Sequence, residues 1–163
     1  MFEDERIKEA ASVEMMKDNM FVVRFPEEMG IPEWTVRTCQ RPSVSVVWSD
    51  EDNNPRIIGY KWNPVEITLF HQIGEFGATK NKKIMEWFMS YMNDVFSNTE
   101  TDCGRDIYIE MLDRLGCVVE KWLLSDCVVI SADFGECDYN KDRMSTTTIK
   151  VLPRHCMLVD MSA

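Results

Sequence analysis

Six cysteines and two histidines are the residues of this 163-residue chain with the most chemistry to offer. The thiols stand at positions 39, 103, 117, 127, 137 and 156, with no Cys-x-x-Cys pair and no spacing that fits a common zinc site. The N-terminus, Met1-Phe2-Glu3-Asp4-Glu5, is acidic where an export signal would be basic, so the expected setting is a cytosol in which thiols stay reduced. Cys117 and Cys127 fall on strands expected to be neighbours, where they could approach bridging distance. The plainer role of the cysteines is to fill sheet positions as small apolar residues. His155 and Cys156 resemble a base beside a nucleophile, but adjacent residues on a strand point to opposite faces. Nothing in the sequence places an acid or a thiol beside His71. No catalytic, cofactor-binding or metal-ligating residue is therefore expected, and the chain reads as a protein that is not an enzyme.

Charge narrows the classes further. The formal net charge is −10, and readers of nucleic acid need clustered Lys and Arg to contact phosphates. The one dense basic patch, Lys80, Lys82 and Lys83, sits at the start of an expected helix and reads as a solvated face. Hydrophobic residues at 45% and charged residues at 28% are ordinary for a globular domain. No apolar run approaches the roughly 20 residues that cross a bilayer, so no membrane partner is expected. The length suits one domain, 1–163.

The last third of the chain holds four alternating, strand-like runs: Asp106 to Asp113, Cys117 to Leu124, Val128 to Phe134 and Ser145 to Leu152. Turn chemistry at Leu115-Gly116, at Ser125-Asp126 and from Glu136 to Asp142 separates them, which predicts an antiparallel meander. Upstream, strands are expected at Met20–Phe25, Trp34–Thr38, Ser43–Trp48, Ile57–Trp62 and Pro64–Phe70. In the last of these Val65, Ile67 and Leu69 alternate with Glu66 and Thr68, the pattern of a half-buried strand. Gly74 and Gly77 mark a loop, and Thr79 can cap the helix expected after it. From Lys80 to Phe96, Ile84, Trp87, Phe88, Tyr91 and Val95 recur every three or four residues, which predicts a helix packed along that stripe. The fold class is α+β: an antiparallel β-barrel or two-sheet sandwich with one packed helix. Such a sheet must close its edges, cover them or pair them with another copy.

Three segments lack a place in that core. Residues 1–19 carry a weak helical pattern and read as a docking segment. Residues 49–56, Ser-Asp-Glu-Asp-Asn-Asn-Pro-Arg, form the tip of a protruding hairpin arm. Residues 153–163 form a C-terminal tail.

The stretch Trp62-Asn63-Pro64-Val65-Glu66-Ile67-Thr68-Leu69-Phe70, followed by Lys83-Ile84-Met85-Glu86-Trp87-Phe88, resembles the tail tube proteins of contractile-tailed bacteriophages. So do Asp106 to Gly116 with Cys117 to Leu124, the segment Asp126 to Ser131 with Phe134 to Asn140, and the closing run Thr146 to Leu152. The resemblance covers about residues 60 to 160 and, more faintly, Phe21-Val22-Val23 and Arg41-Pro42-Ser43. It implies a homo-hexameric ring stacked into a hollow tube inside a contractile sheath, a structural part of the virion tail assembled in the host cytoplasm. Implied partners are the tail sheath, baseplate and tail terminator proteins, with the tape measure protein and DNA passing through the lumen without specific binding. A tube-like baseplate or terminator subunit belongs to the same implication.

A lining of like charge would oppose phosphate binding within a Debye length of about 10 Å. The polar positions Glu66, Thr68, Glu110, Ser131 and Thr146 are expected to divide between lumen and exterior. Two rival classes stand beside this reading. One is a monomeric β-barrel module for a small ligand; the other is a thiol enzyme or metal protein using Cys127, Cys137 or Cys156.

Overall fold

The fold is given by a computed structural model that describes residues 13–71, 80–97 and 104–160. In chain order the strands and the α-helix are β1 (Phe21–Arg24), β2 (Val36–Cys39), β3 (Val44–Ser49), β4 (Arg56–Trp62), β5 (Val65–Phe70), α1 (Asn81–Ser97), β6 (Arg105–Leu112), β7 (Val118–Asp133), β8 (Thr146–Leu152) and β9 (His155–Leu158), with short 3-10 turns at Glu27–Met29, Glu33–Thr35 and Glu51–Asn53. The loop with Gly74 and Gly77, the cap Thr79, Cys103 and residues 1–12 lie outside the described residues. Residues 13–17 carry no helix or strand, so the described end of the expected docking segment is not helical.

Seven strands form one antiparallel sheet in the order β1-β6-β7-β8-β5-β2, with β9 also on β7. The path ends at β1 and β2, which are not paired with each other. The sheet is therefore open, and of the two forms expected the closed barrel is not adopted. Inward residues of both halves, Val23, Ile107, Ile109 and Leu124 on one side and Val65, Ile67, Ile149 and Val151 on the other, join a single apolar cluster. Alternation explains the choice: Val65, Ile67 and Leu69 are buried while Glu66 and Thr68 face away.

The four-strand meander is corrected to three strands, because Ser125-Asp126 is not a turn. β7 runs 16 residues without a break. It bulges at Asp126, where φ is 55° and the pairing with β6 shifts between Arg105 and Ile107. A bulge adds one residue and bends the strand, which lets one strand serve both halves of a folded sheet. β8 and β9 pair with successive stretches of β7, Val128↔Leu152 and then Ser125↔His155. Pro153 and Arg154 break their line opposite the bulge, and Arg154 Nε lies 3.3 Å from Asp126 Oδ2. The segment read as a tail from Pro153 thus enters the sheet over His155–Leu158. Cys117 and Cys127 lie ten residues apart along one line of chain, about 30 Å, and cannot bridge.

Gly104 makes the corner possible. A Cβ there would sit 2.9 Å from the Asp126 Cα and closer still to its side chain. Gly104→Ala is expected to lower stability by about 1–3 kcal/mol, the cost of overpacking a fixed backbone. Urea unfolding measures it, and an unchanged midpoint would show that the corner has slack.

α1 packs against β7, burying Ile84 and Trp87, with Phe88 against the same cluster. Val95 departs from the predicted stripe and is 54% exposed. Phe96 beside it is 80% exposed.

Candidate assembly surfaces

β3 and β4 stand apart from the main sheet as a two-stranded hairpin. Their register pairs Val44 with Trp62, Val46 with Tyr60 and Trp48 with Ile57, Ile58 being the extra residue of a bulge. Strand alternation then puts Val44, Val46, Trp48, Ile57, Tyr60 and Trp62 on one face and Ser45, Val47, Ser49, Arg56, Gly59 and Lys61 on the other. On β3 the apolar face is the wetter one, and β4 is exposed on both faces up to Trp62: Val46 is 59% exposed, Trp48 60%, Tyr60 62% and Ile57 71%. In a self-sufficient domain such a face would turn inward.

At the tip, Asp52 and Asn53 take φ of 58° and 57°, a conformation that short polar side chains tolerate. The base is held by the Asn63 amide, which donates to the hydroxyls of Ser43 at 3.1 Å and Ser45 at 3.0 Å. Trp62 also meets the His155 ring edge-on at 6.2 Å. The segment 49–56 expected as the arm is the tip of a longer arm that spans β3 and β4 and carries an apolar row of its own.

The five polar positions all lie on faces turned from the core, but on different halves of the sheet. Glu66, Thr68, Thr146 and Ser131 sit on β5, β8 and the second half of β7, where Glu66 pairs in register with Lys150 and Thr68 bonds Thr148 at 3.1 Å. Glu110 sits on β6 in the other half and is buried, its carboxylate receiving the Arg24 guanidinium, which also reaches Glu33. The field on these faces is partly neutralised by Lys150 and Arg24, so acidity there is weaker than the net charge suggests. An open groove of about 590 Å³ runs beside Arg24, Phe25, Ile31 and Trp34. The guanidinium that would anchor a ligand in it is already engaged by two carboxylates.

The described cysteines are free thiols. Burial pushes the Cys39 thiol up to about 12 and Cys156 up to about 11, and it also raises Cys127. A nucleophile needs its thiolate, and these groups hold the proton. Cys156 is buried and His155 is exposed, the opposite orientation that strand geometry requires. His71, its pKa lowered by burial, shares a hydrogen bond between its Nε2 and Thr147, whose hydroxyl donates to Asn81 Oδ1 at 3.0 Å. That chain ties the start of α1 to β8, a structural role that spacing did not reveal. Among the described residues no group of three or more His, Cys, Asp or Glu could hold a metal ion.

No protein-family model matches the sequence, and neither does any curated protein. Solved structures match in fold. The chain is similar to one in the extended sheath–tube complex of PVC, an extracellular contractile injection system, at 15% identity, covering 93% of this chain and 96% of that one with a TM-score of 0.58. It is similar to a chain of the extended PVC sheath/tube terminator at 13% identity, covering 91% and 99%, also with a TM-score of 0.58. A third likeness is to Hcp1 from Flavobacterium johnsoniae, at 11% identity over 85% and 94% with a TM-score of 0.52. At these identities the likeness shows the fold, the one shared by tube and tube-terminator proteins of contractile systems. The two PVC neighbours are parts of a contractile assembly.

Proposed function

We propose that this chain is a structural subunit of the inner tube of a contractile particle, a phage tail or a related injection device, in which six copies close a ring and rings stack into a conduit. The observation that carries the reading is the β3–β4 arm, whose apolar face is covered in its own copy only at its base, where Trp62 packs on the core, and is exposed from Val44 to Ile57. A face of that kind marks a contact with another protein surface. On a fold shared with tube proteins, the first partner to consider is the same chain. Within this reading the tail sheath, baseplate and terminator proteins are neighbours of the tube, and the tape measure protein and DNA traverse it without specific contacts. The net charge of −10 suits that passage, since it disfavours phosphate binding.

A terminator subunit capping the same tube is the second reading, favoured by fold likeness to the PVC terminator as great as that to the sheath–tube complex. Negative-stain microscopy of the purified chain distinguishes the outcomes. Stacks with a central hole are expected for a tube subunit, and single rings that never lengthen would favour the terminator. A uniform 19.0 kDa species by light scattering would overturn both.

A further inference from the structure

We infer that the arm of one copy lies along the outward face of α1 in the next copy, its apolar row on the methionine stripe and its acidic tip on the lysine patch. This rests on the proposed assembly and names the receiving surface. On α1 the positions Lys82, Met85, Met89 and Phe96 are spaced by three, four and seven residues and so share one stripe. Every one of them is exposed. The stripe is the side of the helix opposite Ile84 and Trp87, which the core has taken.

The two surfaces match in order and in length. Along the arm, the apolar row from Val44 through Val46 to Trp48 leads to Asp50, Glu51 and Asp52, a run of about 20 Å at 3.3 Å per residue. Along the helix, Phe96, Met89 and Met85 lead to Lys82, about 21 Å at 1.5 Å per residue. Lys80 and Lys83 flank that cationic end and are exposed as well. Among the described residues no ion pair engages Asp50, Glu51, Asp52, Lys80 or Lys82, while Lys83 reaches only Glu86, at 3.8 Å. In a chain of net charge −10, a basic patch whose Lys80 and Lys82 carry no ion pair among the described residues has a complement in the chain's own acidic tip.

Arm and helix are different surfaces, so the contact is heterologous and propagates from copy to copy instead of ending at a pair. That is the contact geometry rings and filaments require. Methionine suits the receiving side, because its unbranched side chain adapts to an aromatic ridge such as Trp48 and Tyr60.

Two charge-reversed variants test the assignment. One carries Asp50→Lys, Glu51→Lys and Asp52→Lys; the other carries Lys80→Glu, Lys82→Glu and Lys83→Glu. Each alone should place like charges against each other and raise the concentration for half-assembly on the order of tenfold or more, with far-UV circular dichroism unchanged. Mixed in equal amounts, the basic arm meets the acidic helix and the acidic arm the basic helix, so assembly should return. If either variant assembles at the parent's concentration, or if the mixture stays unassembled while both variants remain folded, the receiving surface is wrong. A parent chain that stays monomeric would instead remove the assembly reading itself.

Discussion

Replacing Trp48 and Tyr60 together by serine abolishes assembly and leaves the fold intact. Both side chains are about three-fifths exposed in the single copy, at 60% and 62%, and Tyr60 meets the Trp62 ring edge-on at 6.5 Å, so their loss should change folding stability by only about 1 kcal/mol. Their weight falls on the contact. Large aromatics at the centre of an interface cost about 2 kcal/mol or more each when truncated. Two of them remove about 4 kcal/mol per contact, close to a thousandfold in its equilibrium constant. Sedimentation velocity of the double variant should therefore show a folded monomer at concentrations where the parent forms large species. Parent-like rings in the variant would mean that the exposed row is not a contact and that the arm is only a solvated hairpin.

Trp87→Ala is the second large effect, and it acts on the fold. Trp87 is 2% exposed, beside Ile84 at 1%, on the face of α1 that meets β7. Truncating a buried aromatic costs about 3–5 kcal/mol, from lost transfer energy and the cavity left behind. For a chain of this length that corresponds to roughly 6–20 °C in Tm. The Trp87 Nε1 has no hydrogen-bond partner among the described residues, so little polar energy is forfeited with the ring. Urea unfolding gives the number directly. A loss below about 1 kcal/mol would show that the helix contributes little to the core.

The same two tryptophans show where sequence reading succeeds and where it stops. The spacing of Ile84, Trp87, Phe88 and Tyr91 finds α1 because a helix repeats its inward face within a few residues, all of them local. β5 is found for the same reason, from Val65, Ile67 and Leu69 at period two. Trp48 also sits in an alternating run, and alternation correctly gives a strand. It does not reveal that this strand leaves the sheet with its apolar side outward, because the pattern records which residues share a face and not what covers that face. Ser125-Asp126 misled for a related reason. A polar pair reads as a turn when alone, whereas here Gly104 and the Pro153-Arg154 break make room for a bulge, and those partners lie about twenty to thirty residues away in the chain.

Local periodicity by itself determined the α+β class, most strand positions, the single described helix and the separation of His155 from Cys156, since each arises from backbone geometry over a few residues. The burial of Glu110 under Arg24, the continuity of β7, the entry of His155–Leu158 into the sheet and the outward apolar face of the arm were decided only by tertiary structure. Each depends on pairing or cover between distant segments, and free energy of that kind belongs to the folded arrangement and not to any short stretch of sequence.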